Sequence, residues 1–85
     1  MTVEEKFTKA LVDNGMFPNQ AAEVMTAAKS SEILADMGHR WSDNVERYPP
    51  QLFAVVWMTI RHIALEWIDA NVPLAWYRPV FEDAK

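Results

Sequence analysis

The residues predict a single all-α domain, residues 1–85, of three to four helices around a long central C-terminal helix at about residues 50–71. Three observations carry that prediction. Apolar residues recur at helical spacing in several separate stretches of the chain. Between them stand helix borders: a Thr2–Glu5 capping pattern, Gly15, Gly38, the pair Pro49-Pro50, and Pro73. The third is supply. Hydrophobic residues make up 51% of the 85 positions, with four Trp and four Phe among them, which gives so short a chain the side-chain bulk a core needs.

The first helix starts where the Thr2 hydroxyl and the Glu5 carboxylate tie off two orphan amides. Val3, Phe7, Ala10 and Leu11 then share a face, and Asn14-Gly15 supplies a left-handed stop, which predicts a helix over residues 3–14. Met16-Phe17-Pro18 is an apolar connection. Asn19 is the expected N-cap of a second helix through Ala21, Ala22, Val24, Met25 and Ala28, whose small side chains permit close approach to the first. Ser30-Ser31 interrupts it. Ser31 then caps a short segment through Ile33, Leu34 and Met37 that ends at Gly38, so that one bent helix and two separate ones both remain open.

From His39 to Tyr48 the periodicity dissolves, and Ser42, Asp43 and Asn44 favour turns over a helix interior. A surface loop pinned by Trp41 and Tyr48 is expected there. The longest helix begins at Pro49-Pro50, where a missing amide hydrogen costs nothing. Phe53, Val56, Trp57, Ile60, Ile63, Ala64, Trp67 and Ile68 form its stripe. Leu52, Val55 and Met58 widen that stripe until the first half is apolar almost all round, which predicts a place at the centre of the fold or in an oligomer interface. After Pro73, the segment from Leu74 to Phe81 is too apolar for a free tail. Trp76 and Phe81 are expected to lie against the long helix or a neighbouring chain.

Composition narrows the function classes. The formal charge is −4, which repels phosphate backbones and makes nucleic acid an unfavoured partner. With no cysteine there is no disulfide, thiolate metal site or cysteine nucleophile. The first residues are polar and acidic, unlike a secretory signal, and the longest apolar run, residues 52–58, is far too short to cross a bilayer. A cytoplasmic protein without cofactor is the expectation.

His62, Glu66 and Asp69 stand at i, i+4 and i+7 on one face of the long helix. Such a row can hold a divalent ion, given further ligands from another element, or pair an acid with a base; a solvated face with a weak His62–Glu66 pair has the same spacing. The serines, Ser30, Ser31 and Ser42, lie in no nucleophile elbow, and two glycines make no phosphate loop. No catalytic residue is assigned, and the chain is read as a non-enzyme. The N-terminal hairpin can also be read as a helix-turn-helix, with Asn19, Gln20, Glu23, Thr26 and Lys29 on the recognition helix, although Glu23 would face phosphate repulsion. The aromatic residues give the leading reading, an interaction surface. Trp76, Tyr77, Arg78, Phe81 and Trp41 are of the types enriched at interface hot spots, and a homodimer is one form such an interaction takes.

Four segments carry a resemblance: Arg40-Trp41-Ser42-Asp43; Tyr48-Pro49-Pro50-Gln51-Leu52; Ala64-Leu65-Glu66-Trp67-Ile68-Asp69-Ala70-Asn71; and Ala75-Trp76-Tyr77-Arg78-Pro79-Val80-Phe81. Together, over residues 40–81, they resemble a family of small tailed-bacteriophage proteins. The resemblance transfers no catalytic residue. It implies a small accessory protein made in an infected or prophage-bearing bacterial cell, acting by binding a phage or host protein.

Overall fold

A computed structural model describes residues 1–36 and 39–72. Among these residues the chain is all-α: α1 (Val3–Asp13), α2 (Pro18–Lys29), α3 (Glu32–Asp36) and α4 (Pro50–Asn71), with one turn of 3-10 helix at Val45–Arg47.

The capping box forms as the residues require. Glu5 N donates to Thr2 Oγ1 at 3.2 Å, and Thr2 N donates to Glu5 Oε1 at 2.8 Å. A cap of this kind is worth about 1 kcal/mol. The Thr2 amide that donates to the carboxylate, and after it the Thr2 side chain, hold the Glu5 carboxyl below its ordinary range. Asn14 is the C-cap, one residue inside the expected helix, and Gly15 takes the positive φ of 107° that reverses the chain. Val3, Phe7 and Leu11 form the buried stripe of α1.

Asn19 is not the cap of α2. Phe17 holds that place with Pro18 in the first helical turn, and Phe17 N donates to the Gln20 side chain at 3.1 Å. The proline decides the register: its fixed φ suits the first helical position, which leaves Asn19 exposed inside the helix. Ala21, Val24, Met25 and Ala28 are buried, and α2 lies between α1 and α4. Ser30 ends α2 and α3 begins at Glu32, so the serines separate two helices, and Leu34 anchors the second. Met37 and Gly38, the expected end of that segment, lie outside the described residues.

The 22-residue α4 buries Val56, Trp57, Ile60, Ala64 and Ile68 against the hairpin. Its first half is not enclosed on all sides, because Val55 is 53% exposed and Met58 64% exposed. Among the described residues, α2 and the aromatic cluster pack against α4 on the side that carries its buried stripe. The described helices include none long and apolar enough to cross a membrane.

Residues 39–49 are more than a surface loop. They run across the start of α1, where Val3 N donates to Asp43 O at 2.9 Å and Glu4 N to Trp41 O at 3.0 Å. Val45 N donates back to Met1 O at 3.1 Å, and Thr2 and Asn44 form an isolated antiparallel bridge. The first amides of α1, which a helix leaves without internal partners, are satisfied by loop carbonyls and by Thr2. That requirement draws the loop onto the domain and turns His39, Trp41, Val45 and Tyr48 partly inward.

Candidate functional site

The inward-turned loop residues meet a fully buried ring. Phe7 stacks on Phe53 with centroids 4.9 Å apart, lies parallel to Trp57 at 6.5 Å, and receives the edges of Tyr48 at 6.0 Å and Trp41 at 6.2 Å. His39 sits 6.2 Å from Phe7 and only 4.2 Å from Trp41. Lys6 Nζ caps the outer face of the cluster, 4.5 Å from the Phe53 centroid. Edge-to-face and offset pairs of this kind each add about 0.5–1.5 kcal/mol beyond area burial, so the cluster is a stiff floor.

Above that floor lies a cleft of about 430 Å³ lined by His39, Arg40, Asp43, Asn44, Arg47, Tyr48, Pro49 and Leu52. Its volume falls within the range of small-ligand pockets. His39 Nε2 and the Tyr48 hydroxyl are 2.6 Å apart. Burial holds the His39 imidazolium below the ordinary histidine range, with the Asp43 carboxylate opposing the shift. Burial also pushes the Tyr48 phenol up to about 12. Both groups are therefore neutral at pH 7, and the bond joins a neutral imidazole to a neutral phenol.

His39 Nδ1 is buried and has no hydrogen-bond partner among the described residues. A proton there would be an unsatisfied buried donor, which proteins tolerate less readily than an unsatisfied acceptor. The geometry therefore favours the tautomer with the proton on Nε2, donated to Tyr48, leaving the Tyr48 O–H free to donate elsewhere. The two arginines differ. Arg40 Nε lies 3.3 Å from Asp43 Oδ1, whereas the Arg47 guanidinium has no ion pair or hydrogen bond among the described residues. Asn44 caps the 3-10 turn by accepting from Glu46 N at 2.9 Å, which fixes the backbone carrying Arg47 and Tyr48.

The residues singled out from sequence fall in different places. Trp41 is half-buried in the ring cluster behind the cleft. Trp76, Tyr77, Arg78 and Phe81 lie outside the described residues. His62 Nε2 and Glu66 Oε1 form a 3.0 Å pair with both side chains largely in solvent. Asp69 is exposed on the same helix, and no cluster of three or more His, Asp or Glu able to hold a metal ion occurs among the described residues. On α2, Lys29 is engaged with Glu4, Gln20 with the Phe17 amide and the Thr26 hydroxyl with the Ala22 carbonyl, so three of the five would-be DNA-reading side chains are already committed.

Sequence reasoning missed His39, Arg47 and Tyr48 as a group. The available signal was the cluster of rings, His39, Trp41 and Tyr48, within an otherwise polar loop. Compared with protein-family models, curated proteins and solved structures, the chain matches none.

Proposed function

We propose that this protein is a non-catalytic interaction module that binds a protein partner through the face formed by residues 39–52. The observation that carries this reading is the cleft itself. It combines an arginine without an ion pair among the described residues, a tyrosine hydroxyl and an apolar wall over a stiff aromatic floor, and Arg, Tyr and Trp are the residue types that concentrate binding energy at interfaces. A rigid base lowers the ordering cost of association. Much of this face falls in the segment that resembles small tailed-phage proteins. That supports a phage or prophage accessory protein working in the cytoplasm of a bacterial host.

The test is affinity capture from bacterial lysate, run with and without nuclease treatment, using three baits: wild type, Arg47→Glu and Lys9→Glu. Lys9 is exposed on α1 and, among the described residues, pairs with Asp13 one turn away. A stoichiometric protein held by wild type and Lys9→Glu but lost from Arg47→Glu is the expected result. A partner held equally by all three baits overturns the assignment to this face, and recovery that depends on nucleic acid moves the function to the N-terminal hairpin.

A second reading, self-association, is favoured by Val55 and Met58, which stand one turn apart and exposed on α4. Its measurement is light scattering of the purified chain. A dimer that Met58→Glu converts to monomer supports it, and a wild-type monomer at high concentration removes it.

A further inference from the structure

We infer that the cleft between the 39–49 loop and the start of α4 is a receptor for a single carboxylate carried on an apolar body. The inference takes this cleft as the binding surface proposed above and names the chemistry it selects. Three features of the lining carry it.

The first is the count of uncommitted charge. Arg40 and Arg47 bring two positive charges, and Asp43 brings one negative charge already paired with Arg40. Among the described residues of the lining, what remains is the Arg47 guanidinium. That cation matches one negative charge, and the Asp43 carboxylate repels a second. A carboxylate is therefore preferred over a dianionic phosphate, even though arginine suits both in shape.

The second is the donor set. A guanidinium presents a planar fork that meets both oxygens of a carboxylate. The Tyr48 hydroxyl adds a third donor, because the His39 Nε2–H already occupies its oxygen and its own hydrogen is left over. Arg47 is the last residue of the short 3-10 turn and Tyr48 its C-cap, so the two donors are held by one capped piece of backbone.

The third is the remaining wall. Pro49 and Leu52 supply apolar surface with no hydrogen-bonding side chain, beside the tyrosine ring. A bare anion would leave that surface wet. An anion bearing a short alkyl or aryl body would cover it, as the carboxylate-bearing residue of a peptide with an apolar neighbour does.

The test uses purified protein alone, with hexanoate, hexanamide and hexyl phosphate as probes, followed by amide chemical-shift changes at neutral pH. Hexanoate is expected to shift the Arg47, Tyr48 and Leu52 amides saturably in the millimolar range. Hexanamide should bind at least about tenfold more weakly, and so should hexanoate with Arg47→Gln, since each change removes a charge-assisted bidentate contact. Tyr48→Phe keeps the ring in the cluster and should weaken hexanoate several-fold. Its unchanged amide spectrum elsewhere separates a lost donor from a lost fold. The inference is overturned if hexanoate gives no saturable shift, if hexanamide or Arg47→Gln matches the wild-type pairing, or if hexyl phosphate binds more tightly than hexanoate. Hexanoate binding without an Arg47-dependent protein partner would leave the receptor standing and remove the interaction module. An Arg47-dependent partner without hexanoate binding would do the reverse.

Discussion

The chain has two histidines, and their surroundings are opposite. His62 stands on a regular helix, four residues before Glu66 and seven before Asp69, in a pattern that invites a metal or an acid–base pair. It lies in solvent with an ordinary one-turn ion pair. His39 stands in a loop without periodicity. It is enclosed by Phe7, Trp41 and Tyr48, bonded through one nitrogen and buried at the other without a partner among the described residues. Helical spacing reports which side chains share a face but not what covers that face. The environment of His39 comes from long-range closure of the loop onto α1, to which local spacing is blind.

The contrast can be broken most forcefully at its floor. Phe7→Ala removes the ring on which His39, Trp41 and Tyr48 rest, and a buried Phe-to-Ala change costs about 3–5 kcal/mol. Against a typical total of about 5–15 kcal/mol, a large fall in the urea midpoint by tryptophan fluorescence is expected. A loss under about 1 kcal/mol would mean the cluster contributes little to the fold.

The next effect is in pH. His39 has a folded pKa lowered by burial, so the unfolded chain binds a proton that the folded chain resists. Stability is thus expected to fall as pH drops from about 6.5 through the lowered folded value, and to be independent of His39 above that window. The midpoint of thermal unfolding measured from about pH 7.5 to about pH 5 should slope in wild type and in His62→Gln, and flatten in His39→Phe. Equal slopes in all three would separate His39 from the acid response.

The smallest effect belongs to the exposed pair. Glu66→Gln and His62→Ala should each change stability by no more than about 0.5 kcal/mol, as exposed helix pairs do, and added Zn²⁺ should leave the melting temperature unchanged. A zinc-dependent rise that Glu66→Gln abolishes would reverse the comparison and make the helix face the functional one.

Much of the fold was legible because it is local. The Thr2–Glu5 box, the Gly15 reversal, the serine break before Glu32 and the Pro50 start depend on residues a few positions apart. Asn19 misled because a good capping residue followed a proline that claims the first helical position. The apolar girdle of α4 left two places for that helix, the centre of the fold or an oligomer interface, and composition cannot say how many neighbours will cover it; in the single chain Val55 and Met58 face outward. The candidate site was least legible of all. Its frame is made of backbone bonds from Val3, Glu4 and Val45 to partners some forty positions away, and a main-chain carbonyl carries no side-chain signature.

Those backbone bonds also make a clock. In most helices the first amides exchange with solvent readily, because only fraying protects them. Here the hydrogens of Val3 and Glu4 are held by Asp43 and Trp41, so they are released when the 39–49 segment lifts, even while α1 stays wound. Their exchange rates therefore time the opening of the cleft rather than the unravelling of the helix beneath it. Two amides at one edge of the molecule would report, residue by residue and without a label, how often the opposite strand of the closure lets go.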